Sequence, residues 1–165
     1  MGHTVPVIGQ KYSMGCWAAG FAMLHSWRLN ASKSIEQTLG KLGQSYIDAY
    51  DADTGLRKSQ VQVAMSRLGL KHEPPHNPTV QRWLELAAAS PLLVVVDEHR
   101  HPDLFAVHAR VVSAIASGRG HAVTYNDPAG DDLQGSTITQ PLVDFVHHYE
   151  QLASTEWAGV QIIHY

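Results

Sequence analysis

A single cysteine, Cys16, stands in 165 residues. One thiol cannot close an internal disulfide, and a cysteine-rich structural zinc site is excluded with it. Charge is also scarce: Asp, Glu, Lys and Arg make up 16% of the chain and the formal net charge is −3. No basic field exists to draw in nucleic acid or an acidic membrane, so neither partner is expected. No run of about 18 apolar residues is present, which removes a membrane-spanning helix. The start, MGHTVPVIGQ, lacks the basic and apolar regions of a Sec-type signal peptide, so a soluble chain is expected. Repeats, low-complexity tracts and linkers are absent too, and residues 1–165 read as one domain. Hydrophobic residues, at 44%, suffice for a core of that size. Histidine is the one abundant reactive type, with eleven copies.

Helical patterns fill the first half. Residues 16–28, CWAAGFAMLHSWR, form an apolar helix with Trp17, Ala18, Phe21, Ala22 and Leu24 inward, although Gly20 lowers its propensity. Shorter helices are expected at 35–43 and 45–49, a turn at Asp53-Thr54-Gly55-Leu56, and a helix capped by Ser59 that stops near Gly69. KHEPPHNP, with three prolines, is a connector; Thr79 then caps a helix that turns Val80, Trp83, Leu84 and Ala87 to one side. From Leu92 the character changes. LLVVV is a buried strand, 107–115 and 122–125 pair as a hairpin about ASGRG, 137–139 is a strand, 141–152 a helix and 159–164 a closing strand. Helices first and antiparallel strands last make an α+β fold.

Cys16 sits where a helix begins. The positive end of the helix dipole favours a thiolate there, and the Cys16 N–H is one of the donors that the first turn leaves free. Gly15 lets a substrate approach, and the Gln10 amide, six residues upstream, is a candidate second donor for an oxyanion. A thiol nucleophile also needs a base. With the turn at 117–120, His108 lies at the open end of the hairpin, opposite Asn126, Asp127 and Pro128. A carboxylate or amide there can hold Nδ1 of the imidazole and leave Nε2 for the thiol. His121 lies by the turn, more than about 13 Å away along the strand, and His25 lies nine residues up the Cys16 helix, also about 13 Å. His147 and His148 read as solvent-facing. Asp97, Glu98, His99, His101 and Asp103 carry metal-ligand groups, but no further cluster completes a site, and the run reads as a solvated loop at the rim.

In the order Cys, His, Asp the chain resembles the papain-like cysteine peptidases of bacteria, the effector type related to the plant-pathogen protease AvrRpt2. VPVIGQKYSMGCWAAGFAML around Gln10 and Cys16, HARVVSAI from His108 and YNDPAG around Asp127 carry the likeness. DTGL and PLLVVV fall between them. The resemblance implies a papain-like fold with the nucleophile helix packed on the sheet. It implies Cys16 as nucleophile, His108 as base, Asp127 as the residue orienting it and Gln10 in the oxyanion hole, without metal or cofactor. Asn126 is the alternative orienter, because other papain-like branches use an amide. It further implies a protein substrate and an effector or interbacterial toxin, delivered into a target cell by a specialised secretion system. Such a toxin, whether alone or as the active module of a longer protein, calls for a neutralising immunity protein or inhibitor. The same residues suit a transglutaminase, deamidase or amidase, and a non-catalytic binding module on this fold is the remaining alternative.

Overall fold

A computed structural model describes residues 2–98, 107–118, 120–153 and 155–165. Seven helices and six strands appear among them, helices concentrated first and strands last, which is the α+β arrangement expected. The strands form one antiparallel sheet in the order β1-β6-β2-β3-β4-β5. Their ranges are β1 Lys71–His72, β2 Leu92–Asp97, β3 Val107–Ala116, β4 Ala122–Asp127, β5 Ser136–Pro141 and β6 Ile162–His164.

Each face of the sheet carries its own core. On one lies α1 (Cys16–Leu29) with α2 (Ile35–Leu42), α3 (Gln44–Asp51) and α4 (Lys58–Leu68) around it. Leu93, Val95, Ala109 and Val111 meet them there. On the other lie α5 (Val80–Ala89) and α7 (Leu142–Glu150), against Val94, Val96, Val112, Val123 and Tyr125. A strand whose alternate side chains serve two cores reads as an unbroken apolar run, and that is why LLVVV is buried along its whole length. Helix α1 is buried all round from Trp17 to Ser26, so its small residues are close-approach positions. An ideal Cβ on Gly20 would stand 2.5 Å from Leu93 Cδ1. Its low propensity is the cost of laying α1 on β2.

Several boundaries differ from the sequence reading. Helix α4 starts at Lys58, and its cap is Arg57, whose N–H is held by Gln60 Oε1 at 2.9 Å; Ser59 lies inside the helix. Thr79 caps α5 as expected by accepting from the Arg82 N–H, but Val80 is exposed and Leu86 takes its place in the core. Lys71-His72, inside the proline-rich connector, pairs with β6. Asn126 and Asp127 belong to β4 and not to the following turn. That turn, α6 (Gly130–Leu133), is left-handed at Asp131, Asp132 and Leu133, with φ of 49°, 52° and 70°.

Candidate active site

The chain before Cys16 is a tightly tied loop. Tyr12 N–H donates to the Gln10 carbonyl at 2.7 Å and Gly15 N–H to the Tyr12 carbonyl at 3.1 Å. Tyr50 Oη also donates to the Gln10 carbonyl, at 3.0 Å. A Cβ on Gly15 would lie 2.4 Å from that same carbonyl oxygen, so the glycine is required by the loop's own closure and not only by substrate. From outside, Asp53 clamps the loop: its carboxylate accepts from Ser13 Oγ at 2.6 Å and from the Met14 N–H at 2.7 Å. Trp17 Nε1 donates to the Thr54 carbonyl at 3.1 Å, so the 53–56 turn and the head of α1 are fastened together. Gly15, as N-cap, supplies no side-chain acceptor to the first turn of α1, which leaves the donors around Cys16 uncapped.

Gln10 is buried at 2% exposure, and its backbone N–H is bonded to the Pro128 carbonyl at 3.0 Å. This links the loop before Cys16 to the turn after Asp127. Its side-chain nitrogen donates to the carbonyls of Tyr12 and Ser13, both at 2.8 Å, and Oε1 is buried without a partner among the described residues.

His108 and Asp127 come from the hairpin. Val111 faces Asn126, Val112 faces Tyr125, and an irregularity at Ser113 shifts the pairing before Ala114 meets Thr124. Continued toward the open end, that register sets Asp127 across from Arg110 and diagonal to His108. His108 Nε2 is 2.7 Å from Asp127 Oδ1, and both side chains are only 8% exposed. Asp127 thus takes Nε2, where the sequence reading had assigned Nδ1, and Nδ1 is the nitrogen left for another partner. The reversal comes from a reach along the diagonal, which no strand spacing specifies. Asp127 Oδ1 also accepts from the Ala129 N–H at 2.9 Å, so the turn that follows holds the carboxylate in place. Asn126 points elsewhere: its amide donates to the carbonyls of Val5 and Pro6 at 3.2 and 3.4 Å, and its oxygen accepts from Thr137. The head of α1 brings Cys16 to the start of β3, near enough to His108 to favour the charged form of its ring.

Burial is the largest single influence on His108 and opposes its charge. Even so, the hydrogen bond with Asp127 and the nearby Cys16 and Glu98 prevail and push its pKa up to about 10. On Asp127 burial again acts against the charge, but His108, the Ala129 N–H and Arg110 hold the carboxyl down at about 2. The pair is therefore an imidazolium with a carboxylate through the neutral range.

Two charged residues complete the cluster: Arg110, which the sequence reading does not single out, and Glu98, which it places in a solvated loop. Arg110 Nε donates to Asp127 Oδ2 at 3.1 Å, and an Arg110 terminal nitrogen bonds Glu98 Oε1. Glu98 Oε2 stands 3.9 Å from His108 Nε2. Asp97 and Glu98 are thus no part of a solvated loop: Asp97 is a buried residue of β2 and Glu98 reaches back into the site. The remaining members of that run, His99, His101 and Asp103, lie outside the described residues. Ligand atoms of Glu98, His108 and Asp127 fall within 4.8 Å of one another, a spacing that a metal ion could use. Arg110, however, already bonds both carboxylates and supplies the cation that such a pair requires. Among the other histidines, His121 lies at the turn end of the hairpin and His25 is buried on α1. His147 is exposed, whereas His148 is half-buried and bonded through Nδ1 to the Asp97 carbonyl at 2.9 Å, so the expected solvent-facing pair is split.

Cys16 and His108 also share the wall of a cavity of about 120 Å³. Met14, Trp17, Leu56, Val107, Ala109 and Trp157 are among its largely apolar lining, and Lys58 Nζ ties its Trp157 side by bonding the Ala158 carbonyl at 2.9 Å. A thiol, a buried imidazole, an ionised carboxylate and an apolar recess meet at one place.

The family model of the papain-like cysteine protease AvrRpt2 matches residues 1–148. The chain belongs to that family. The matched stretch contains Gln10, Cys16, Glu98, His108, Arg110 and Asp127, and so spans the whole cluster. The α+β fold, with the thiol at the head of a helix packed against an antiparallel sheet, is the one the resemblance implied. A comparison with curated proteins gives no match. No helix among the described residues is long and apolar enough to cross a membrane.

Proposed function

We propose that the chain is a cysteine peptidase acting on a protein substrate through an acyl-enzyme, with Cys16 as nucleophile, His108 as acid and base, and Asp127 as orienter. The observation that carries this reading is the buried His108 imidazole, bonded to the Asp127 carboxylate and sharing the wall of one apolar recess with the Cys16 thiol. The Cys16 sulfur attacks the peptide carbonyl carbon as the carbonyl electron pair moves onto oxygen. That charge is met by the Cys16 N–H at the uncapped head of α1. When the tetrahedral intermediate collapses, the C–N bond breaks and His108 gives its proton to the leaving amine. Water, its proton taken by His108, then attacks the thioester and releases the acid and the thiol. Gln10 is the second oxyanion donor in this scheme. To serve it must release the Tyr12 or Ser13 carbonyl, since both its amide hydrogens are engaged. The apolar recess beside Cys16 suits one large apolar side chain next to the cleaved bond. Delivery into a target cell as an effector or toxin, with a neutralising immunity protein or inhibitor in the producer, completes the proposal.

The test is a lysate incubated with the protein or with Cys16→Ala, followed by mass spectrometry of new N-termini. Cleavages that vanish in Cys16→Ala and fall about 10²–10³-fold in a folded Gln10→Ala variant are expected. Mass shifts of about one unit on glutamine, or cross-links, would instead identify a deamidase or transglutaminase with the same residues. No Cys16-dependent change in any protein leaves a binding module.

A further inference from the structure

Four charged side chains gather at the open end of the β3–β4 hairpin. His108 and Arg110 are two apart on β3, Asp127 ends β4, and Glu98 follows β2. Arg110 is fixed in this group from three directions. Nε bonds Asp127, a terminal nitrogen bonds Glu98, and the guanidinium carbon stands 4.9 Å from the centre of the Tyr125 ring. Only 11% of its side chain is exposed. A buried arginine with both ends engaged is costly to desolvate, and its position between two carboxylates that both approach one imidazole needs a reason.

Charge balance at that imidazole supplies one. Among the described residues the groups facing His108 are Asp127 from β4, Glu98 beyond β2, Cys16 from α1 and, through the carboxylates, Arg110 on its own strand. In that set two carboxylates stand against one guanidinium, which leaves an excess of negative charge beside the ring. We infer that Arg110 and Glu98 are a pair of positioning residues that set the proton affinity of His108 and hold Asp127 in the orientation that serves it. Arg110 offsets the second carboxylate, and it keeps Asp127 Oδ2 engaged so that Oδ1 stays on Nε2. Glu98 in turn keeps Arg110 from drawing Asp127 wholly away from the histidine. The inference rests on the peptidase reading for the purpose of the pair, but not for its test.

The His108 ring can be titrated by NMR through its imidazole nitrogens, with no substrate. In the intact protein the ring titrates well above the ordinary value near 6.5. Glu98→Gln removes a negative charge and lowers the midpoint by about one unit; Arg110→Gln removes a positive charge and raises it by about the same amount. The double variant, neutral at both positions, returns the midpoint to within a few tenths of the starting value. A purely architectural pair would not produce opposite shifts that cancel. If Arg110→Gln does not fold, the half-exposed side of the pair still decides, because Glu98→Gln keeps every other bond of the cluster. An unmoved midpoint in folded Glu98→Gln overturns the inference. A native midpoint near 6.5 would instead overturn the Cys16–His108–Asp127 pairing itself, and loss of Cys16-dependent cleavage alone would leave the pair intact.

Discussion

Asp127 is the residue on which the site's electrostatics turn. It accepts from His108, from the Ala129 N–H and from Arg110, and each of these bonds favours the carboxylate. Asp127→Asn keeps the shape and removes the charge. The His108 pKa then falls from about 10 toward 6.5, so the imidazolium needed to protonate the leaving amine is depleted from neutral pH upward. We expect kcat to drop about 10²–10⁴-fold and the alkaline limb of the kcat/KM profile to move down by more than one unit. An alkaline limb that stays in place would show that Asp127 does not govern His108. The meeting of His108 with Asp127 was legible, because hairpin spacing separates the open end, where His108 lies, from the turn, where His121 lies. Which ring nitrogen faced the acid was not legible, since it depends on a diagonal reach and a side-chain rotation that spacing does not carry. Glu98 and Arg110 were hidden for a different reason. In a sequence, charged residues two positions from a strand's apolar side chains look like solvated ones, and only the neighbouring strands show that three of them share one buried rim.

At the scale of elements, the head of α1 is a joint between three segments: the loop from Gln10 to Gly15, the 53–56 turn and the Pro128 turn. The helix itself was evident from its apolar run, and the fit of strands β2 to β4 followed from β-branched residues and turn glycines. The joint was not evident, because it is made of backbone carbonyls, which carry no residue identity. Glycine at position 15 is where that joint leaves no room, with the Gln10 carbonyl oxygen 2.4 Å from where a Cβ would be. A clash with backbone cannot be relieved by turning a side chain, so Gly15→Ala must move the loop that carries Gln10. We expect a loss of about 1–3 kcal/mol in urea unfolding, together with a fall in the alkylation rate of Cys16 by iodoacetamide. A stable variant with native Cys16 reactivity would mean that the loop closes by some other route.

Across the whole molecule, the same buried charges that serve the site also shape stability against pH. Asp127 is lowered to about 2 from an ordinary value of 3.8. Its contribution is therefore present above pH 3.8 and is lost as pH falls through 2. His108 is raised from 6.5 to about 10. Its contribution is complete below 6.5 and is lost as pH rises through 10. The two report one shared interaction and are not summed. His25 runs opposite to His108: burial first, then Lys41 and Lys33, lower its pKa. The folded protein prefers it neutral, so its contribution is present above 6.5 and is lost as pH falls through the lowered value. These directions place the maximum of stability near pH 6.5, with an alkaline decline that belongs to His108 alone among the three. The limiting slope for one proton is about 1.4 kcal/mol per pH unit, large enough to follow by urea unfolding between pH 7 and 9.5. The wild-type midpoint should fall across that interval, while His108→Gln, starting lower, should be nearly flat. A decline equally steep in His108→Gln would mean that the imidazolium–carboxylate pair contributes nothing to holding β3 and β4 together at their open end.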